Sequence, residues 1–172
     1  MLLFTLVTFL SAACNSDPLE DINIRSTKEP ISQQAPTAKK YMSFALGEIS
    51  FFEAGLSEVQ WGWINKYDKK DDTMSWSLLI RDEHYVDGDG LNVGEVLFYY
   101  LNGKFVAEFH ARKGFAMMET NLYASHEKPG SWDPATFSMH HKLTRSTVDR
   151  FSVYVMQFPI YVIAHATIVR TQ

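Results

Sequence analysis

The stretch EVLFYYLNGKFVAEFHA, residues 95–111, decides the fold class of this chain. Its centre, Asn102-Gly103, is the residue pair that favours a two-residue type I′ turn between antiparallel strands. Such a turn joins Glu95–Leu101 to Lys104–Ala111 and fixes the register of the two strands. The predicted cross-strand pairs are Tyr100 with Phe105, Phe98 with Ala107, Val96 with Phe109, and Glu95 with His110.

Upstream of this hairpin, apolar and polar residues alternate with a period of two, which is typical of strands with one buried face. Trp61 and Trp63 lie on such a face, and residues 74–80, which include Trp76, repeat the pattern after the polar stretch 66–72. The sequence therefore predicts a second hairpin here, with the three tryptophans packed in the core.

Downstream, further strands are predicted around residues 114–124, 136–145, 150–157 and 160–170. Pro159 lies between the last two segments, and proline cannot donate a ladder hydrogen bond. A bulge or break is therefore expected at this residue.

The segment before the strands, residues 39–53, follows a helical period of 3.6 at its apolar positions. Thr37 is a suitable cap for its start, and Gly55 is suitable for its end. The sequence predicts a helix here, with a strand as the alternative because Phe51 and Phe52 fit either. The apolar positions of this period are Met42, Ala45, Leu46, Ile49 and Phe52.

Many short antiparallel strands with one helical segment in front indicate a mainly β fold. We expect an antiparallel sandwich or a curved, partly closed barrel, with an N-terminal helix packed on it as the variant. One such domain, residues 41–172, follows a tether over 14–40 and a signal peptide over 1–13.

Composition excludes several function classes. The chain has 172 residues and a net charge of −4, so a nucleic-acid binder, which needs clustered Lys and Arg, is not expected. No nucleophile elbow, zinc-binding spacing or glycine-rich phosphate loop occurs in the sequence. We therefore expect a non-enzymatic protein that requires no cofactor.

The first residues form a secretory signal pattern. The apolar run Leu2–Leu10 is too short to span a bilayer and is followed by Ser11, Ala12 and Ala13. The single cysteine of the chain, Cys14, comes next.

The stretch Leu10-Ser11-Ala12-Ala13-Cys14 resembles the lipobox of bacterial lipoproteins. The resemblance implies cleavage before Cys14, which would then carry diacylglycerol on its sulfur and a fatty acid on its amino group. It also implies, through Asn15, an outer-membrane location. Ser11 stands where lipoboxes commonly have an aliphatic residue, and no Lys or Arg precedes the apolar run. The alternative is an ordinary secreted protein that is cut near Ala13.

Residues 15–40 contain three prolines and many small polar residues, which is typical of a flexible spacer. A random coil of this length spans about 25–30 Å. Ile22, Ile24 and Ile31 leave open a short strand or a partner-binding segment.

The acidic loop 82–95 is the candidate metal site. Calcium requires several oxygen ligands on a tightly turning backbone, and Asp-x-Asp-Gly-x-Asn supplies them within a short stretch. This stretch resembles the core of EF-hand loops but departs from the full pattern at Tyr85 and Val96. A solvated hairpin loop is the alternative, because Asp, Asn and Gly also favour turns. The candidate ligands are Asp87, Asp89, Asn92 and Glu95.

Aromatic residues supply the candidate ligand-binding site. Trp132 lies in a loop rich in proline and glycine, where it serves either as a plug for the end of the sandwich or as an anchor for a sugar or protein. Tyr99 and Tyr123 are candidates for extending such a surface. The Glu95–His110 pair suggests a general base, with His141 or His165 as additional members.

Three functions are compatible with these features. The leading hypothesis is a cell-envelope lipoprotein that acts as an interaction or accessory subunit of another envelope protein. The alternative is a module for glycan or another small ligand, supported by calcium. The third is a hydrolase that uses Glu95 and His110.

Overall fold

The computed structural model describes residues 38–68, 73–81 and 90–171, and strands dominate these ranges. A 3-10 helix, Pro134–Thr136, precedes the eighth strand. The strands are β1 (Lys40–Ala45), β2 (Ile49–Ser50), β3 (Trp63–Tyr67), β4 (Met74–Ile80), β5 (Leu91–Leu101), β6 (Lys104–Ala111), β7 (Phe115–Ser125), β8 (Met139–Ser146), β9 (Val148–Val153) and β10 (Ile160–Arg170).

All strand pairings are antiparallel, and the strands form one curved sheet that does not close into a barrel. This confirms the predicted mainly β class. The central strand is β10: one edge pairs with β7 along its length, and the other pairs with β3 and then with β1. From β1 the sheet continues through β4, β5 and β6 to β9, whereas β8 extends it beyond β7.

The hairpin at Asn102-Gly103 forms as predicted. Strands β5 and β6 pair with the predicted register, from Glu95 opposite His110 to Tyr100 opposite Phe105. Both turn residues have positive φ, 50° and 80°, which is the requirement of a type I′ turn.

The predicted helix over residues 39–53 is wrong, and the strand alternative is right for its first part. Here β1 lies between β10 and β4, with Phe44 opposite both His165 and Leu79. Pairing with two strands satisfies the backbone of β1 on both edges, which outweighs a local helical period. Met42 and Leu46, predicted to lie on the buried helix face, are exposed.

The predicted hairpin between residues 59–65 and 74–80 is also wrong. Strand β3 pairs with β2 and β10, whereas β4 pairs with β1 and β5. Tyr67, which the sequence placed in a polar turn, is fully buried in β3 against Phe105, at 5.3 Å between ring centroids. Alternation identified a strand in each segment, but alternation alone does not specify the partner strand.

The remaining strands agree with their predicted ranges to within a few residues. The chain leaves the sheet between β9 and β10, and Pro159 lies in this break as expected. The predicted Thr37 cap lies outside the described residues.

The sheet buries apolar residues on both faces. The inner cluster contains buried residues of nearly every strand, including Leu78, Phe98 and Ile168, so the sheet curls around it. The outer cluster lies on the opposite face of β1, β3 and β10, since Phe44 and Ala45, adjacent in β1, belong to different clusters. Among the described residues, no helix is long and apolar enough to cross a membrane.

Candidate functional site

The outer cluster is rich in aromatic rings. Phe44 of β1 meets the rings of Phe51 and Trp61 edge to face, at 5.3 and 5.4 Å between centroids, and Trp61 meets Trp63 at 5.7 Å. The buried members are Phe44, Phe51, Ile64, Phe137 and Ile163. The partly buried members are Ile49, Ala54, Leu56, Trp61, Trp63, Tyr123, Trp132 and Tyr161.

A tight turn after β2 covers one side of this cluster. Glu53 accepts hydrogen bonds from the backbone N–H and hydroxyl of Ser50, at 2.8 and 2.7 Å, and the Ser50 hydroxyl accepts one from the Glu53 N–H. These bonds to Ser50 lower the pKa of Glu53. Gly62 has φ of 153°, and a side-chain carbon there would lie 2.1 Å from the Phe51 ring. The turn thus requires Gly62 and directs Phe51 inward.

The same turn leaves two large apolar side chains in solvent. Phe52 is 72% exposed and Val59 is 95% exposed. Both line a groove of about 390 Å³ beside the outer cluster, and Trp61 and Arg81 also line this groove. A neighbouring hollow of about 260 Å³, lined also by Lys39 and Tyr41, shares Gln60, Trp61 and Arg81 with the groove.

Trp132 and Tyr123 lie on the other side of the outer cluster. Trp132 is partly buried against the cluster, and the Tyr123 ring is 6.1 Å from that of Phe137. The Tyr123 hydroxyl donates to the carbonyl of Glu127 at 2.9 Å. Trp132 therefore takes part in the packing of the outer cluster, and its role as a plug or as an anchor stays a prediction.

Tyr99 lies apart from these two residues. Its hydroxyl donates to Glu108 at 3.0 Å, and the Arg150 guanidinium lies 5.8 Å from its ring centroid. Burial and the bond to Glu108 both raise the pKa of Tyr99. The structure therefore brings Trp132 and Tyr123 to one cluster and leaves Tyr99 elsewhere on the sheet.

His165 is a polar residue buried on the outer face, at 3% exposure. Its Nδ1 accepts from the Asn121 amide at 3.1 Å, and the same amide donates to Glu119, so the ring proton resides on Nε2. Nε2 is buried without a hydrogen-bond partner among the described residues. Burial lowers the pKa of His165 to about 3, against an opposing effect of Asp133, so the ring is neutral at physiological pH.

Glu95 and His110 lie opposite each other as predicted and line one polar pocket of about 370 Å³ together with Arg112. The His110 ring, however, contacts Glu108 at 2.9 Å, and Glu95 accepts from Ser75 at 2.8 Å. The two side chains are therefore oriented by different partners.

Of the predicted calcium ligands, Asp87 and Asp89 lie outside the described residues. Asn92 donates to the Ser77 hydroxyl at 3.0 Å and accepts from the Gly94 N–H at 3.1 Å. No group of three or more His, Cys, Asp or Glu side chains suited to a metal occurs in the described ranges. The calcium site stays a prediction from the sequence, as does lipidation of Cys14, which also lies outside those ranges.

Sequence reasoning missed the groove and the burial of His165, which it considered only as an additional member of a general-base set. The pattern Ser50-x-x-Glu53 is a capping signature and was a usable signal for the turn that forms the groove. Comparison with protein families, with curated proteins and with solved structures finds no match for this chain.

Proposed function

We propose that this protein is a lipid-anchored cell-envelope protein whose β domain is a non-enzymatic interaction subunit. In this proposal a partner protein binds the groove formed by residues 50–63 and Arg81. The observation that carries it is the exposure of Phe52 and Val59 on this groove. Contiguous exposed apolar side chains with a polar rim are typical of protein interaction sites.

The chemistry of the rim favours a protein as the occupant. Arg81 and Glu58, of opposite sign, line the same groove, and Lys39 lines the adjoining hollow. Mixed charges around tryptophan and apolar side chains suit a protein surface, which also presents both signs. An apolar side chain of the partner would contact Phe52, Val59 and the exposed part of Trp61.

The anchor is supported by the sequence around Cys14. A thioether-linked diacylglycerol with an added fatty acid supplies more than one chain, which is sufficient for stable membrane attachment. Intact-mass measurement of the mature protein tests this part: we expect a chain that starts at Cys14 and carries acyl groups. An unmodified thiol or a retained leader would contradict it.

Binding at the groove is tested with the full-length protein purified in mild detergent from its native membrane. We expect a defined envelope protein to co-purify with the wild type and to be reduced severalfold with Val59→Ser or Phe52→Ser. Leu101→Ser is the matched control, because Leu101 is 47% exposed at the tip of the β5–β6 hairpin, away from the groove. Equal recovery with all variants would overturn the proposed site.

A further inference from the structure

Strands β8 and β9 are consecutive in the chain but do not pair with each other. They follow each other through Thr147 alone, yet β8 pairs with β7 and β9 pairs with β6. In the part of the chain that the structure describes, neither strand has a backbone partner on its other edge. The two free edges therefore face each other across a seam of the sheet.

Side chains bridge this seam on the inner face. The His141 ring of β8 stacks on Phe151 of β9, with centroids 4.2 Å apart and planes 13° apart. His141 Nδ1 lies 3.0 Å from both carboxylate oxygens of Asp149, and the Thr120 hydroxyl donates to the same carboxylate. These contacts form a floor for the seam without any backbone ladder.

Above this floor lies a groove of about 370 Å³. A second hollow, of about 280 Å³, begins at the next residue of the strand, Val153, and is lined on its other side by the end of β7. Tyr154 and Met156, which are 71% and 85% exposed, line this second hollow. The first groove is lined by Ser138, Met139, His140, His141, Arg150, Phe151 and Ser152.

The charge around the seam is basic, in contrast to the net charge of −4 of the whole chain. Lys142, Arg145 and Arg150 are exposed cations of β8 and β9, and the one carboxylate of these strands, Asp149, is engaged on the inner side. Two nearby carboxylates are also engaged: Glu108 with Tyr99 and His110, and Glu119 with Asn121. Acidic groups of a partner would thus meet exposed cations here.

We propose that this seam binds an extended, acidic segment of a partner polypeptide, which adds to the sheet as a strand. Free strand edges are templates for backbone hydrogen bonds, and a single added strand has alternate side chains on opposite faces. Inward side chains would rest on the His141–Phe151 stack, and outward carboxylates would meet Lys142 and Arg150. This site lies on different strands from the groove of the proposed function and does not depend on it.

The test uses the purified full-length protein and a synthetic peptide of the length of β8, 8 residues, that alternates valine and glutamate. A valine–lysine peptide of equal length is the control ligand. We expect the acidic peptide to bind saturably and the valine–lysine peptide not to bind. We also expect the acidic peptide to slow hydrogen exchange of the β8 and β9 amides. Slower exchange distinguishes strand addition from loose electrostatic attraction.

Lys142→Gln combined with Arg150→Gln should lower the affinity for the acidic peptide by about fivefold, since each exposed charge contributes modestly to binding. Lys113→Gln, an exposed cation at the β6–β7 turn, is the matched control and should leave affinity unchanged. Val59→Ser should also leave it unchanged, so failure of this proposal and failure of the groove are separable. Equal binding of both peptides, no binding, or unchanged β8 and β9 exchange would each overturn the proposal.

Discussion

The inner and outer clusters of this domain bury apolar surface by different means. The inner cluster consists mainly of alternate positions of long strands, as in β10, where Val162, Ala164 and Ala166 point inward in succession. The outer cluster is covered by the turn after β2 and by the 3-10 segment, and His165 and Asn121 are buried on the same face. The inner cluster thus depends on regular strand positions, whereas the outer cluster depends on covering segments that leave an open groove beside it.

This contrast predicts the largest loss of stability in the inner cluster. Phe98 is fully buried, with ring centroids 4.4 Å from Trp76 and 5.8 Å from Phe105. Phe98→Ala should lower the free energy of unfolding by about 3–5 kcal/mol, because a cavity remains where the ring was. Denaturant unfolding of the variant measures this loss. If a substitution in the outer cluster lowers the free energy of unfolding more than Phe98→Ala does, the expected difference between the two clusters is contradicted.

Acid should lower the stability of the domain mainly through His165, which is buried on the outer face. The pKa of His165 is about 3 in the folded protein, against 6.5 for an unperturbed histidine, so the unfolded state binds the proton first as the pH falls. The neutral His165 ring contributes to the free energy of unfolding fully above pH 6.5, and this contribution is lost as the pH falls towards 3. The loss between pH 7 and pH 4 amounts to about 3 kcal/mol.

Unfolding curves across this pH range test the assignment to His165. In His165→Leu this component of the pH dependence should be absent, whereas in His126→Leu, which changes an exposed histidine, it should persist. The same slope in wild type and His165→Leu would show that other groups cause the acid sensitivity.

Trp132→Ala distinguishes a plug from a binding anchor. Because Trp132 packs against the outer cluster, we expect the substitution to cost about 2 kcal/mol and to lower Tm by several degrees. A thermal scan measures this. An unchanged Tm together with lost glycan affinity would instead support the anchor hypothesis.

The smallest effect on stability is expected at the groove. Phe52 and Val59 are exposed, so Phe52→Ser and Val59→Ser should change the free energy of unfolding by no more than about 0.5 kcal/mol. Denaturant midpoints check this. A larger loss would place these side chains in the core and remove them from the proposed interaction surface.

Short sequence patterns correctly predicted the features that depend on residues close together in the chain. The Asn102-Gly103 turn specified both strands and their register, since a two-residue turn allows one pairing. Strands β1 and β3 both pair with β10, which lies more than ninety residues further along the chain. The alternation of apolar and polar residues does not encode this choice of partner strand. His165 was identified as a histidine of interest, but its burial depends on covering segments that no periodicity predicts.

Site-specific photocrosslinking at residue 59 in the native envelope tests the central claim, that the outer groove is where this domain meets its partner. A photoreactive amino acid at this exposed position should give one discrete adduct with another envelope protein. The same amino acid at position 101, on the hairpin tip, should give none. Equal labelling at both positions, or adducts only between copies of this chain, would contradict the claim.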